Sequence, residues 1–171
     1  ALEVARRALA SGRATRVAVV CPTSPLTRQW AQAAGALGLQ LAPDAPDLRP
    51  PRDFHGVAVT YARVASAPAA FAATCTPGTL VIADEVYEHL VFDGRRHMPL
   101  ANYPGMAGRT VTVASAAKMF NVTGWKIGWA CGAAELISGM RAAKQYLSYA
   151  GGAPFQPAVA IDVGPVLEKI I

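Results

Sequence analysis

The sequence predicts an α/β fold: a three-layer sandwich with a mostly parallel sheet and helices on both faces. Short, nearly continuous apolar runs recur along the chain, and segments with helical spacing separate them. Such runs are typical of strands that helices bury on both faces. The composition agrees, because 53% of the 171 residues are hydrophobic and 16% are charged, which favours a folded chain over a disordered one.

Helix and strand signals alternate in the N-terminal half. Residues 1–10 have helical spacing that places Leu2, Ala5 and Leu9 on one face. The signals that follow predict a strand at 16–20, a helix at 26–37, a strand at 57–61 and further helix at 63–73. The proline-rich stretch 43–52 predicts a loop. No capping residue precedes the first helical pattern, so we expect the chain to be a fragment.

The C-terminal half continues the alternation. Its signals predict strands at 79–83, 110–114 and 127–131 and a long helix at 133–147. Proline and glycine clusters indicate breaks at 76–78, 99–108 and 151–157.

Composition limits the function classes. The net charge of +5 would permit contact with nucleic acid, but the basic residues are scattered, which favours solvated surfaces. Cys21, Cys75 and Cys131 are odd in number and widely spaced, which predicts reduced thiols and a cytoplasmic location. No apolar run reaches the length of a membrane span, so we expect no membrane partner.

Chemically useful residues concentrate in two short segments. Asp84 and Tyr87 follow the strand predicted at 79–83, and Ser115, Lys118 and Lys126 follow the strand predicted at 110–114. An amine, a carboxylate, a phenol, a hydroxyl and a second cation are the groups that a pyridoxal phosphate site requires from its protein. Because ligands bind beyond the carboxyl ends of strands in open α/β sheets, these positions also suit a binding site.

These segments carry a family resemblance. The runs Val-Ile-Ala-Asp-Glu-Val-Tyr-Glu-His, Ser-Ala-Ala-Lys-Met-Phe-Asn-Val-Thr-Gly-Trp-Lys and Ala-Lys-Gln-Tyr-Leu-Ser-Tyr-Ala-Gly-Gly-Ala-Pro-Phe-Gln-Pro occupy residues 80 to about 160. They resemble the large domain of class I/II (fold-type I) pyridoxal-phosphate-dependent aminotransferases, especially the N-succinyldiaminopimelate type. The resemblance implies amino-group transfer between an amino acid and a 2-oxo acid, and a possible homodimer.

The resemblance also implies a role for each residue. Lys118 would bind the cofactor covalently and shuttle a proton, and Asp84 would pair with the ring nitrogen. Tyr87 would hydrogen-bond the ring's 3-oxygen. Ser115 and Lys126 would hold the phosphate, although many family members have arginine in place of Lys126.

Several parts of a complete family member are absent. The sequence lacks the glycine-rich phosphate turn, the aromatic residue that stacks on the ring and the arginine that binds the substrate carboxylate. Substrate orientation contributes much of the rate. We therefore expect an incomplete protein with weak or no activity alone.

Residues 1–85 carry a second resemblance. The runs Ala-Val-Val-Cys-Pro-Thr-Ser-Pro-Leu-Thr-Arg-Gln-Trp and Leu-Val-Ile-Ala-Asp-Glu are similar to the first RecA-like domain of superfamily 2 DEAD/DEAH-type helicases. By that resemblance, Arg28, Thr60 and Arg63 would contact nucleic-acid phosphates, and Asp84 with Glu85 would hold Mg²⁺. No G-x-x-x-x-G-K-[ST] phosphate loop occurs, so we do not expect ATP hydrolysis.

The two resemblances meet at residues 81–85. They predict a chimera with a helicase RecA-like half at 1–83 and a partial aminotransferase large domain at 84–171, with the possibility that both pack as one continuous domain. The leading hypothesis is an aminotransferase-like protein. The alternatives are a nucleic-acid- or ATP-binding module and a chimeric fold without function.

Overall fold

The computed structural model describes residues 1–149, 151 and 154–167. Its centre is a six-stranded sheet in the order β2-β3-β1-β4-β5-β6. The strands are β1 Arg16–Cys21, β2 Leu41–Pro43, β3 Gly56–Thr60, β4 Thr79–Asp84, β5 Thr110–Ser115 and β6 Gly128–Gly132. The first five strands run parallel, and β6 pairs antiparallel with β5. The predicted α/β fold with a mostly parallel sheet is confirmed.

Seven α-helices accompany the sheet among the described residues. They are α1 Leu2–Ala10, α2 Ser24–Gly35, α3 Tyr61–Ser66, α4 Pro68–Thr74, α5 Ala116–Met119, α6 Ala134–Leu147 and α7 Gln156–Leu167. None of the helices within the described ranges is long and apolar enough to cross a membrane.

The pleat of the central strands separates two apolar layers. On one face, Val20, Val59 and Val81 pack with Phe71 of α4 and with Leu100, which lies in the segment between β4 and β5. On the other face, the intervening residues of the same strands pack against helices α1, α2 and α6, through the residues Val17, Val19, Ile82, Ala5, Ala34 and Leu136. Alternate side chains of a strand point to opposite faces. The sheet therefore carries helices on both faces, as the sequence predicts.

Two local details differ from the sequence prediction, and the direction of the last strand was not predicted. The predicted loop 43–52 begins within β2, which ends at Pro43. The helical stretch predicted at 63–73 consists of α3 and α4, because Pro68 disfavours helical geometry at the residue before it. The strand predicted at 127–131 reverses direction relative to its neighbour. The break predicted at 151–157 lies partly outside the described residues.

Candidate functional site

The parallel strands end along one edge of the sheet, called here the carboxyl edge. Asp84 is the last residue of β4 and pairs with Val113 of β5. Ser115, the last residue of β5, therefore lies only two residues further along the neighbouring strand. The antiparallel β6 begins at this edge, where Gly128 pairs with Ser115. Three chain segments therefore deliver the five residues of the predicted cofactor site to one edge: the end of β4, the end of β5 and the approach to β6.

Asp84 is a half-buried carboxylate held by a tryptophan from another helix. The indole Nε1–H of Trp30, on α2, donates to Oδ2 of Asp84 over 3.0 Å. Burial raises the pKa of the Asp84 carboxyl group, and the hydrogen bonds from Trp30 and from the backbone of Val86 lower it. Among the described residues, Asp84 forms no salt bridge. The Asp84 carboxylate is therefore held in one orientation by Trp30, and the described part of the chain supplies no cation to pair with it.

Ser115 organises the turn that carries Lys118. Its Oγ accepts a hydrogen bond from the backbone N–H of Ala117 over 3.2 Å and caps α5. The same hydroxyl donates to the carbonyl of Ile127 over 3.2 Å, which ties the turn to the segment before β6. Lys118 lies on α5 with an exposed side chain. The Ser115 hydroxyl has one hydrogen, so donation to a phosphate would require loss of its hydrogen bond to the carbonyl of Ile127.

Tyr87 and Lys126 flank this turn. Tyr87 lies in the turn after β4, and 36% of it is exposed. Lys126 is exposed and adopts the left-handed conformation with φ 55°, directly after the 3₁₀ turn Thr123–Trp125. The structure thus places both residues beside the carboxyl edge.

Glu85 does not share the environment of Asp84. The residue is 2% exposed, and its carboxylate lies 3.0 Å from Nε2 of His97 and accepts the backbone N–H of Leu100 over 3.1 Å. Because neighbouring residues of a strand point to opposite faces, Asp84 faces α2 and Glu85 faces the loop that contains Leu100. The structure does not bring these two carboxylates together around one Mg²⁺ ion.

The residues predicted to contact nucleic acid are spread over three elements, with Thr60 at the end of β3. Arg28 is exposed on α2, and Arg63 is exposed on α3. The Thr60 hydroxyl accepts the backbone N–H of Arg63 over 3.2 Å and caps α3. Thr60 therefore has a structural role in the helix start.

Trp30 is the site residue that the sequence reasoning missed as a partner of Asp84. The two residues are 54 positions apart, and no motif contains both. The available signal was the tryptophan at the end of the Arg-Gln-Trp run in a helix that follows a central strand. That signal indicates packing near the carboxyl edge but does not identify a partner.

Comparison with known proteins assigns the chain to a family. The sequence profile described as "Aminotransferase class I and II" matches residues 69–166, which is more than half of the chain. The chain belongs to the class I and II aminotransferase family. The match includes Asp84, Tyr87, Ser115, Lys118 and Lys126.

Individual relatives of this aminotransferase-family chain agree. It is 78% identical over 82 residues to a probable N-succinyldiaminopimelate aminotransferase of Mycobacterium tuberculosis, over 48% of this chain and 21% of the relative. It is 48% identical over 82 residues to the human kynurenine–oxoglutarate transaminase 3, over 48% of this chain and 18% of that protein.

Solved structures show the same fold over a longer range. The structure of N-succinyldiaminopimelate aminotransferase from Mycobacterium tuberculosis aligns with a TM-score of 0.60 and 43% identity, over 94% of this chain and 47% of the other. The structure of YbdL from Escherichia coli, described as having a methionine aminotransferase function, aligns with a TM-score of 0.62 and 25% identity, over 95% and 48%. The chain thus spans about half the length of these relatives.

The family's cofactor is pyridoxal phosphate, and the donor set of the carboxyl edge fits it. A half-buried acid without a cationic partner suits the cationic ring nitrogen. Two exposed lysines and a hydroxyl at the same edge suit the cofactor's aldehyde and its dianionic phosphate. The residues present are therefore compatible with the cofactor in charge and chemistry.

Proposed function

We propose that this chain is the cofactor-binding part of an aminotransferase that moves an amino group between an amino acid and a 2-oxo acid. One observation carries the proposal: Asp84 and the turn from Ser115 to Lys118 follow directly neighbouring parallel strands. Pyridoxal phosphate, when bound, supplies an electron sink that stabilises negative charge on the substrate's α-carbon.

The protein's own groups divide the remaining work. Asp84 would bind the ring nitrogen, with Trp30 fixing the orientation of the carboxylate. Tyr87 would donate to the ring's 3-oxygen. Lys118 would hold the cofactor through its amine and later move a proton at the substrate's α-carbon. Ser115 and Lys126 would bind the phosphate, the hydroxyl by a hydrogen bond and the ammonium group by charge.

The substrate and the assembly state are finer proposals. The 78% identity over 82 residues supports a substrate of the N-succinyldiaminopimelate type. The resemblance to this family supports a homodimer, and three free cysteines support a cytoplasmic location. Because the chain spans about half the length of its relatives, we expect turnover by this chain alone to be weak or absent.

The division at residues 83 and 84 stays a prediction. Identity to the mycobacterial sequence is 78% over 82 residues, whereas the alignment to the mycobacterial structure over 94% of the chain has 43% identity. Similarity is therefore concentrated in about half of the chain, and the family match begins at residue 69. The family match thus extends into the predicted helicase-like half, and the aminotransferase fold aligns over 94% of the chain, so these comparisons do not support a helicase origin of residues 1–83.

The helicase resemblance of residues 1–85 also stays a prediction. Nucleic-acid binding through Arg28, Thr60 and Arg63 would weaken steeply as salt rises, because the phosphate contacts release counterions. Binding of single-stranded DNA without salt dependence, or no binding, would remove this second function.

Reductive trapping tests the aminotransferase proposal. The chain is incubated with pyridoxal phosphate and reduced with borohydride, and the modified lysine is identified by mass spectrometry. We expect modification at Lys118, loss of that modification in Lys118→Ala, and at least about a tenfold reduction in Asp84→Asn, since charged hydrogen bonds contribute about 1.5–3 kcal/mol.

Lys144→Ala is the matched control for this experiment. Lys144 is exposed on α6, where its Nζ donates to the carbonyl of Tyr149 over 2.9 Å. Its replacement should leave the modification at Lys118 unchanged. Equal modification of Lys118 and Lys144 in the wild-type chain would contradict the proposed site.

A further inference from the structure

A second group of ionisable side chains lies on the sheet face opposite Asp84. Glu85 follows β4, Glu88 lies in the next turn, and His97 lies in the loop before the 3₁₀ turn Leu100–Asn102. One ligand atom from each residue can be chosen so that all three lie within 4.8 Å of one another. We call these three residues the Glu-Glu-His cluster.

The cluster is built around a rigid, buried carboxylate. Glu85 is 2% exposed, and its Oε1 accepts the backbone N–H of Leu100 over 3.1 Å. Its own backbone N–H donates to the carbonyl of Val113 on β5 over 2.9 Å. The second oxygen, Oε2, lies 3.0 Å from Nε2 of His97. The position of at least two donor atoms is therefore fixed by the sheet and its adjoining loop.

The charges of the cluster are not balanced by a permanent cation. Among the described residues, Glu85 and Glu88 form ion pairs only with His97 and His89, and no lysine or arginine reaches them. Two carboxylates, one of them buried, thus share a small space with histidines as their only cationic partners.

A cavity of about 670 Å³ gives access to the cluster. Glu85 and Glu88 form part of its wall, together with Thr112 of β5 and Cys131 of β6. A group bound by the cluster would therefore have open positions for water or a small ligand on the cavity side. Asp84 faces the opposite side of the sheet and does not line this cavity.

The donor set matches a divalent transition-metal ion. Zn²⁺ binds imidazole nitrogen and carboxylate oxygen at about 2.0–2.2 Å, and sites with three protein ligands keep an open position for water. A tetrahedral ion places donor atoms held at such distances about 3.4 Å apart. Oε2 of Glu85 and Nε2 of His97 lie 3.0 Å apart, so small side-chain rotations bring this pair to the tetrahedral separation. Mg²⁺ prefers ligand sets made entirely of oxygen and suits the imidazole less well.

We propose that Glu85, Glu88 and His97 bind one divalent transition-metal ion, with Zn²⁺ as the best fit and water in the positions that face the cavity. The ion takes the place of the hydrogen bond between Nε2 of His97 and Oε2 of Glu85, and the proton of that bond is released to solvent. It also supplies the cation that the two carboxylates lack. This site is separate from the proposed cofactor site and does not depend on it.

Metal titration of the whole chain tests the proposal. The chain, freed of any histidine tag and of metal, is titrated with Zn²⁺ by calorimetry and with Co²⁺ by visible absorption. We expect one ion per chain and Co²⁺ bands in the visible range. His97→Gln and Glu88→Gln should each weaken Zn²⁺ binding by at least about tenfold, the lower limit of the loss caused even by changes to outer-shell partners.

His89→Gln is the matched control, since His89 neighbours Glu88 at 3.8 Å but does not belong to the cluster. Its affinity for Zn²⁺ should stay within twofold of the wild type. Glu85 is left unchanged because loss of its bond to Leu100 would endanger folding, and circular dichroism checks the fold of each variant. Absence of Zn²⁺ binding to the wild type, or equal weakening in His97→Gln and His89→Gln, would overturn the proposal.

Discussion

At the scale of single residues, the hydrogen bond between Trp30 and Asp84 fixes the orientation of the Asp84 carboxylate in the candidate site. Trp30 lies outside the segment that matches the family, whereas Asp84 lies within it. Burial disfavours the ionised form of the Asp84 carboxyl group, and the hydrogen bond from the indole to Oδ2 favours that form. A residue from the N-terminal part therefore supports the acid that the proposed cofactor needs.

Replacement of Trp30 by phenylalanine should destabilise the protein. Trp30→Phe keeps an aromatic ring on α2 but removes the donor to Asp84, which costs about 1–2 kcal/mol for a half-buried acceptor. Urea unfolding of the wild type, Trp30→Phe, Asp84→Ala and the double variant gives the coupling energy. A coupling energy near zero would show that the bond contributes nothing to stability.

The thiol of Cys21 should make the protein sensitive to alkaline pH. Burial, followed by the charge of Asp84, raises the pKa of the Cys21 thiol to about 12. Since the folded-state pKa is raised, the folded state favours the protonated thiol. The contribution is complete below the unfolded pKa near 9 and is lost progressively between pH 9 and pH 12.

Alkaline unfolding of the wild type and Cys21→Ala measures this effect. The stability of the wild type should fall more steeply with pH in this range than that of the variant. In the native protein at pH 8, alkylation of Cys21 should also be slow, because the residue is 0% exposed. Parallel pH profiles for the two proteins would contradict the prediction.

At the scale of elements, β3 approaches β1 so closely that Gly56 has no room for a side chain. A Cβ atom at Gly56 would lie 1.7 Å from the carbonyl oxygen of Val17. Gly56→Ala should therefore force the two strands apart and destabilise the protein by about 3 kcal/mol or more.

Gly35→Ala is a matched glycine substitution that should change the stability of the protein in the opposite direction. Gly35 is the last residue of α2, and a Cβ atom there would contact nothing within 4 Å. This change should stabilise the protein by about 0.5–1 kcal/mol through the lower entropy of the unfolded chain. Thermal and urea unfolding of both variants checks the pair, and a stabilising Gly56→Ala would contradict the strand contact.

Local sequence predicts the central elements well and the sheet's margins less well. The runs at 16–20, 79–83 and 110–114 lie within β1, β4 and β5 because buried parallel strands need continuous apolar residues. β2 has only three residues and ends at a proline, which edge strands tolerate. Three residues are too few to show the alternation that identifies a strand, so β2 could not be predicted. The direction of β6 is set by its pairing with β5 and not by its own sequence.

The candidate site divides in the same way. The positions of Asp84, Ser115 and Lys118 could be predicted because the first two end β4 and β5 and Lys118 lies in the helix directly after β5. The partners of Glu85 could not, since His97 and the backbone of Leu100 reach it only through the path of a loop. The same holds for Trp30, which comes from a helix two strands earlier in the chain.

At the scale of the whole molecule, β4 joins the two parts of the chain that differ in similarity to known proteins. It pairs with β1 on one side and with β5 on the other, in parallel on both. Five backbone positions are in register between β1 and β4, from Arg16 opposite Thr79 to Val20 opposite Ala83. The sheet is thus continuous across the predicted division at residues 83 and 84.

Continuity of the sheet predicts cooperative unfolding. Hydrogen exchange under native conditions should give similar opening free energies for Val19 in β1 and Val111 in β5, because both are buried and both are opposite Ile82 of β4 in one sheet. Unfolding followed by tryptophan fluorescence and by far-ultraviolet circular dichroism should give coincident transitions. Opening energies that differ by several kcal/mol between β1 and β5 would instead show two independent units.

The alternation at the end of β4 assigns one acid to each face of the sheet. Asp84 meets the indole on one side, and Glu85 meets the imidazole on the other. Because strand side chains repeat every two residues, deletion of one residue within β4 would turn each acid to the opposite face of the sheet. Each acid would then leave the side on which its proposed ligand binds, so a single change of length in this strand would disable the proposed cofactor site and the proposed metal site together.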